Sequence, residues 1–181
     1  MALKSTIAKA TLAVSDLDRG YYGTHALTVA RHPSETDERM MVRVLAFALH
    51  ADPALAFGKG LSTDDEPALW QRDDTGLVVR WIDVGLPDER AVKRAAGRAG
   101  EVVVYAYGGR AVDLWWQRNG DALARLPKVT VRSVPQAASQ ALAAMATRTM
   151  QLTCTIQDGH VYFTDDATTL AIELATLTPA A

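Results

Sequence analysis

Acidic residues stand at both ends of one predicted hairpin. Asp64, Asp65 and Glu66 precede the strand-like run "ALWQRD", and Asp83 lies near the end of the run "LVVRWIDVG". The letters "DDTG" between these runs are typical of a hairpin turn. In an antiparallel hairpin the start of the first strand lies beside the end of the second. We therefore expect the "DDE" carboxylates and Asp83 to face each other across the pair.

Carboxylates that converge in this way would suit Mg²⁺. This ion takes oxygen ligands and keeps several waters, so one or two protein carboxylates are enough to hold it. It would lower the pKa of a bound water and stabilise charge on a phosphate. The same residues have a second interpretation, because an acidic run before a strand is often a solvated loop and "DDEP" is a good turn sequence.

Strand alternation indicates which way Asp83 points. Side chains alternate between the two faces of a strand, so Trp81, Asp83 and Gly85 share one face. Ile82 and Val84 occupy the other face. A helix, "LPDERAVKRAAGRAG", follows directly and carries Lys93.

The other elements that must position these residues can be read from hydrophobic periodicity. The pattern predicts two paired strands, a helix, the hairpin, a helix, a strand, a helix, a strand, a helix and terminal strands. The run "EVVVYAYG" is apolar almost throughout, which is typical of a buried and often parallel strand. We expect an α/β fold in one domain over residues 1–181: a central mixed sheet flanked by helices, with extra antiparallel strands at both termini.

The first helix is predicted within "HPSETDERMMVRVLAFALHADP". Ser34 is a good N-cap, and the acids Glu35 and Asp37 suit the positive end of the helix dipole. An apolar stripe at spacings of three and four follows, formed by Met41, Val44, Leu45 and Ala48.

Composition sets limits on the class of protein. Apolar residues make up 49% of the 181 residues and charged residues 22%, with a formal net charge of -2. Nucleic acid would therefore have to be bound by a local basic groove, because there is no bulk attraction. Cys154 is the only cysteine, which excludes an intramolecular disulfide, and its alternating run predicts a small buried residue.

No segment of the sequence is predicted to enter a membrane. The N-terminus lacks the long apolar stretch of a signal peptide, and no window reaches the about 20 apolar residues that a spanning helix needs. The expected compartment is the cytoplasm, and no membrane partner is expected. The oligomeric state is left open.

The whole chain resembles a known family. The phrases "MALKSTIAKATLAVSDLDRG", "ARHPSETDERMM", "KGLSTDDEPALW", "GLPDERAVKRA" and "LTCTIQDGHVYFTDD" resemble those of the YaeQ family, small bacterial proteins. The most specific of them are "RHPSETDERMM" and "GLPDER". This resemblance implies a variant of the PD-(D/E)XK nuclease fold.

The resemblance also implies roles for individual residues. A helix glutamate falls on Glu38, with Glu35 as the alternative. The acid at the start of the hairpin falls on Asp65 or Glu66, and the acid at its end falls on Asp83. Asp65, Glu66 and Asp83 would be the metal ligands.

The chain departs from the nuclease pattern in two places. The "PD" pair is replaced by "DDEP", and the "(D/E)XK" tripeptide is replaced by "DVG", so its lysine is missing. Some members of that superfamily supply the lysine from the following helix, where Lys93 stands here. Arg94 and Arg98 lie nearby, and a surface lysine on an amphipathic helix is the alternative interpretation of Lys93.

The resemblance and the acids together predict Mg²⁺-dependent cleavage of phosphodiester bonds in nucleic acid. Glu38 and Lys93 would be the catalytic residues, with Lys93 acting on the attacking water or on the phosphate. The alternative is a catalytically silent binding or protein-interaction module on the same fold, because a fold does not establish a function.

Overall fold

The structure is a computed structural model that describes residues 4–59 and 65–178. Asp64, one of the predicted acids, lies outside the described residues. The chain divides into two compact units, each formed from two separate stretches of sequence. The first unit comprises residues 1–51 and 137–173, and the second comprises residues 52–136 and 174–181.

Four helices and eleven strands are assigned in the described residues. In chain order they are β1 (Thr6–Asp16), β2 (Tyr21–Arg31), α1 (Asp37–Leu49), β3 (Leu55–Phe57), β4 (Leu69–Arg72), β5 (Val78–Val84), α2 (Glu89–Ala96), β6 (Ala99–Ala106), α3 (Arg110–Ala124), β7 (Val129–Ser133), α4 (Gln136–Ala144), β8 (Thr149–Gln157), β9 (His160–Thr164), β10 (Thr169–Ile172) and β11 (Ala175–Thr176). None of the helices in these ranges is long and apolar enough to cross a membrane.

The first unit contains a five-stranded sheet in the order β10-β9-β8-β1-β2. Strands β1 and β2 pair antiparallel from Thr6 opposite Arg31 to Asp16 opposite Tyr21, which confirms the predicted pairing. On its other side β1 pairs in parallel with β8, with Lys9 opposite Thr149. The first two strands of the chain therefore share a sheet with β8, β9 and β10 from its C-terminal part.

The second unit contains a six-stranded sheet in the order β11-β7-β6-β5-β4-β3. The predicted hairpin is confirmed, because β4 and β5 pair antiparallel with Leu69 opposite Ile82. Strand β6 lies between β5 and β7 and is parallel to both, as its apolar sequence predicted. The helices α2 and α3 each follow a strand of this parallel set and allow the chain to cross over to the next one.

Two features of the predicted fold are wrong. The structure has two mixed sheets where one central sheet was expected, and the three-residue strand β3 was not predicted. The first error arises because strand alternation indicates that a strand exists but does not specify its partner, and β1 pairs with a strand from the far end of the sequence. The second arises because three residues are too short for a periodic signal.

The core of the second unit is formed by the parallel strands and by α2 and α3. Trp81, Val102 and Val104 from the sheet pack with Val92 from α2 and Trp115 from α3. Burying side chains of this size contributes about 1.5–3 kcal/mol each. Of the two adjacent tryptophans of α3, Trp115 is buried, and Trp116 is partly buried and packs against the same cluster.

Helix α1 differs from its prediction in its cap and its burial. The N-cap is Thr36, whose side chain accepts a hydrogen bond from Arg39 N at 3.1 Å, whereas Ser34 bonds to the ring of His32. Every residue from Met40 to Leu49 is buried, so the apolar stripe is only part of the covered surface. Cys154 is buried in β8, as expected.

Candidate functional site

Asp83 lies at the end of β5, half-buried, and its carboxylate is held by a neighbouring ring. The indole Nε1 of Trp81 donates a hydrogen bond to Asp83 Oδ2 at 3.0 Å. The two side chains share one face of the strand, as alternation predicted. Because Trp81 is buried in the core, it is a rigid donor that restricts the orientation of the carboxylate.

Asp65 and Glu66, the described acids before β4, lie near the matching end of the hairpin. Pairing between the strands ends at Leu69 and Ile82, and Ile82 directly precedes Asp83. Glu66 stands three positions before Leu69 and accepts a hydrogen bond from Lys59 N through Oε2 at 3.0 Å. Asp65 is exposed to solvent. The close approach of either carboxylate to that of Asp83 remains a prediction.

Gly85 stands where the (D/E)XK pattern implied by the resemblance would place a lysine, and its backbone conformation disfavours any side chain. Its φ is 119°, a conformation that L side chains rarely adopt, and its N–H donates to Tyr105 O at 2.9 Å. A Cβ at this position would meet no atom within 4 Å, so the obstacle is conformational rather than steric contact with neighbours. A lysine at position 85 would have to adopt this strained conformation.

Lys93 extends from the solvent-facing side of α2. Its ammonium forms an ion pair with Glu89, one turn earlier, and the Lys93 side chain is 53% exposed. Both residues line a surface pocket of about 430 Å³ together with Asp88, Arg90 and Asn119. The helix begins there because Asp88 caps it, its Oδ1 accepting a hydrogen bond from Ala91 N at 2.7 Å.

Arg98 provides a positive charge that contacts the tryptophan beside Asp83. Its guanidinium carbon lies 5.4 Å from the centroid of a Trp81 ring, within the range of a cation–π contact. Trp81 therefore contacts both Arg98 and Asp83. The sequence did not assign a role to Trp81, although its position two residues before Asp83 on the same face was the available signal.

The two candidates for the helix glutamate, Glu35 and Glu38, differ in their accessibility. Glu35 is inaccessible, because its side chain is fully buried and is bound by both Arg39 and Arg43. Burial lowers the pKa of Arg43, even though Glu35 acts in the opposite direction. Glu38 lies in the first turn of α1, and its Oε2 accepts a hydrogen bond from Ser139 Oγ at 3.3 Å. Glu38 is therefore the better candidate of the two.

Within residues 4–59 and 65–178, no group of three or more His, Cys, Asp or Glu side chains is placed to hold a metal ion. A cation at the hairpin would therefore depend on two carboxylates and on water for its remaining ligands, an arrangement that Mg²⁺ commonly adopts.

Comparison with known proteins places the chain in a family. The sequence profile described as "YaeQ protein" matches residues 1–174. The chain belongs to the YaeQ family. It is 45% identical over 174 residues to the uncharacterised protein YaeQ of Escherichia coli (strain K12), with 96% of each chain covered. The same identity and coverage relate it to the uncharacterised protein YaeQ of Shigella flexneri.

Solved structures of YaeQ proteins share the fold. The crystal structure of the YaeQ protein from Xanthomonas axonopodis pv. citri matches with a TM-score of 0.93 and 46% identity, covering 98% of this chain and 100% of that one. The YaeQ protein from Pseudomonas syringae matches with a TM-score of 0.92 and 39% identity, covering 97% of both chains.

In this YaeQ chain the predicted site residues are divided between the two units. Asp65, Glu66, Asp83 and Lys93 belong to the second unit, and Glu38 belongs to the first. The hairpin brings the segment of Asp65 and Glu66 close to the segment of Asp83, at one end of β4 and β5. Lys93 follows on the next helix, ten residues after Asp83 in the sequence.

Proposed function

We propose that this YaeQ-family chain is a Mg²⁺-dependent phosphodiesterase that acts on nucleic acid, on a variant of the PD-(D/E)XK nuclease fold. The observation that carries the proposal is the hairpin register. Because Leu69 pairs with Ile82, the segment of Asp65 and Glu66 and the strand end that bears Asp83 lie at the same end of one hairpin. A helix with a lysine and a parallel strand follow directly.

The donor set at this hairpin end is compatible with Mg²⁺. Asp83, with Glu66 or Asp65, would supply carboxylate oxygens, and Mg²⁺ needs no more than one or two of these from protein. When bound, the ion would lower the pKa of a bound water and offset charge on the phosphate. Trp81 would keep the Asp83 carboxylate oriented through its hydrogen bond.

Lys93 would bind the substrate phosphate or orient the attacking water after separating from Glu89. Breaking this ion pair requires little free energy, because ion pairs between exposed side chains contribute only about 0.2–1 kcal/mol. Glu38 belongs to the other unit, and its role as the helix glutamate rests on the family resemblance. Phosphate binding would be supported by a local excess of positive charge, since residues 90–98 contain Arg90, Lys93, Arg94 and Arg98.

The proposal is tested by thermal melts with and without millimolar Mg²⁺. We expect Mg²⁺ to raise the melting temperature of the wild-type protein, because a ligand that binds only the native state stabilises it by mass action. Asp83→Asn should lose this shift while retaining a hydrogen-bond acceptor for Trp81. Asp113→Asn, an exposed acid on α3, is the matched control and should retain the shift. A wild-type protein that does not respond to Mg²⁺ would contradict the proposal.

A catalytically silent binding module is the second candidate. It is favoured by the ion pair between Lys93 and Glu89 and by the lack of a three-ligand metal group in the described ranges. Cleavage assays on single- and double-stranded DNA and RNA separate the two functions. A nuclease should lose cleavage in Lys93→Ala while retaining its response to Mg²⁺. A binding module should show no cleavage, and its nucleic-acid affinity should fall steeply as salt rises.

A further inference from the structure

A small pocket in the first unit has no role in the proposed nuclease site. It has a volume of about 200 Å³ and lies where the start of β1 meets the first turn of α1 and the segment before β8. Register explains its position, because Thr6 pairs with Arg31 at the end of β2 and Lys9 pairs with Thr149 at the start of β8. The pocket therefore lies at one end of the five-stranded sheet.

The charged residues of the pocket leave one positive charge in excess. Its lining contains Arg31, Arg148 and Asp37, so two cations and one anion give a formal charge of +1. Arg31 is already engaged, since its Nε lies 3.5 Å from Asp37 Oδ1 and donates to Glu35 O at 3.0 Å. Among the described residues, the guanidinium of Arg148 has no ion-pair partner. Arg148 is therefore available to an anion.

The rest of the lining is largely apolar. Met40 and Ala8 line the pocket but expose only 3% and 7% of their surface, so Ile7 offers most of the apolar surface that a ligand could cover. Ile7 is 47% exposed, which is high for a large aliphatic side chain in a strand. A phosphate ion would use the arginine but would leave this apolar surface in contact with water. A ligand with an aliphatic stem would cover it.

We propose that this pocket binds the carboxylate of a short aliphatic acid. The planar guanidinium fork of Arg148 matches the two oxygens of a carboxylate, and the aliphatic stem packs against Ile7. The volume of about 200 Å³ is below the roughly 300–1,000 Å³ of pockets that bind drug-sized ligands, so the pocket favours a short acid. Butyrate is a short acid with an aliphatic stem and serves as the probe.

Titration of the intact protein with butyrate, followed by amide NMR shifts, tests the proposal. We expect saturable shifts confined to the start of β1, the first turn of α1 and residues 146–149. Because a ligand of this size binds weakly, saturation is expected in the range of about 1–10 mM. The neutral isostere 1-butanol should bind at least about tenfold more weakly, since it lacks the charge-assisted hydrogen bonds.

Two surface variants identify which part of the pocket does the binding. Arg148→Gln should weaken butyrate at least about tenfold, and the control Arg118→Gln, at an exposed position on α3, should leave it unchanged. Ile7→Thr keeps a β-branched side chain in the strand but removes apolar surface, so it should weaken butyrate and not acetate.

Three results would overturn the proposal. The first is the absence of saturable shifts with butyrate at about 50 mM, well above the expected range. The second is inorganic phosphate binding at the same residues as tightly as butyrate, which would show that charge alone is recognised. The third is equal butyrate affinity in the wild-type protein and Arg148→Gln, which would place the ligand elsewhere.

Discussion

At the scale of single residues, the most constrained charge is Glu35. Both of its carboxylate oxygens accept hydrogen bonds from Arg43, at 2.5 Å from Nη2 and 3.0 Å from Nε. Arg39 forms a further ion pair with it, while the Nη2 of Arg39 is buried without a partner among the described residues. One buried anion thus compensates two cations. Groups of this kind contribute little net stability when complete but are costly to break.

Replacing Glu35 by glutamine should therefore destabilise the protein strongly. The variant removes the negative charge that pairs with the buried guanidinium of Arg43, and we expect the free energy of unfolding to fall by about 3–5 kcal/mol. The control is Asp37→Asn, which removes an exposed partner of Arg31 and should cost less than about 1 kcal/mol. Urea denaturation followed by circular dichroism measures both. Similar losses in the two variants would mean that burial does not set the strength of the Glu35 interaction.

Cys154 makes the protein sensitive to alkaline pH. Burial, with a smaller contribution from the charge of Asp16, raises the pKa of its thiol to about 12. In the unfolded chain the thiol ionises near pH 8.5, so above that pH the unfolded state binds fewer protons and the native state loses stability. Between pH 8.5 and pH 10 the loss should reach about 2 kcal/mol. Below pH 8.5 the thiol should have no effect.

Comparison with Cys154→Ala isolates this contribution. Tyr105, whose pKa is raised to about 12 by burial, is present in both proteins, so its titration cancels in the difference. Urea midpoints measured from pH 7 to pH 10 should decline more steeply for the wild-type protein than for the variant. Parallel curves would show that the thiol ionises as readily in the folded protein as in the unfolded chain.

At the scale of elements, the hairpin of β4 and β5 positions the candidate acids, and glycine at its exit shapes the turn into α2. The turn between the strands is stabilised by Asp73, whose Oδ1 accepts hydrogen bonds from Thr75 N at 2.9 Å and Leu77 N at 3.1 Å. At the other end, Gly85 leaves β5 with a positive φ before the chain reaches the cap at Asp88. The turn at Asp73 and the positive φ of Gly85 therefore shape the two ends of β5, the strand that carries Asp83.

Gly85→Ala should destabilise the protein, whereas Gly97→Ala should not. At Gly85 the φ of 119° penalises any Cβ, and we expect a loss of about 1–3 kcal/mol. At Gly97, the C-cap of α2, φ is -74° and a Cβ would make ordinary contacts at 3.5 and 3.8 Å. Alanine there should be neutral or stabilising by up to about 1 kcal/mol, because it restricts the unfolded chain. Chemical denaturation of both variants tests the contrast, and a reversed order would contradict it.

At the scale of the whole molecule, the two units are interleaved in the sequence. Residues 52–136 of the second unit separate the two stretches of the first, and residues 174–181 follow them. Strand β1 lies between β2, its neighbour in sequence, and β8, which begins at Thr149. Forming the five-stranded sheet therefore requires contacts between distant parts of the chain. Such contacts carry a larger entropic cost of loop closure and slow folding.

A fragment of residues 1–51 should not fold alone. It contains the hairpin of β1 and β2 and the helix α1 but lacks β8, and an isolated two-stranded hairpin is marginal in water. We expect no cooperative thermal transition by circular dichroism. A fragment of residues 52–136 retains five of the six strands of its sheet and should melt cooperatively. A cooperative melt of the first fragment would show that the parallel pairing with β8 is dispensable.

The sequence by itself determined the local elements and the family. Periodicity located the hairpin, the buried parallel strand β6 and the burial of Cys154, because alternation and apolar runs record how much of a segment is covered. Alternation also placed Trp81 and Asp83 on one face. The motifs "RHPSETDERMM" and "GLPDER" pointed to the YaeQ family, which the whole-length profile match bears out.

Only the tertiary structure decided which groups meet. It assigned the cap of α1 to Thr36 instead of Ser34, and it buried Glu35 against Arg43, eight residues away. It also joined β1 to β8 in a separate sheet. Each of these outcomes depends on a choice among several chemically similar partners. Local propensity does not distinguish such partners, because the free energy that selects one comes from burial and pairing across the folded chain.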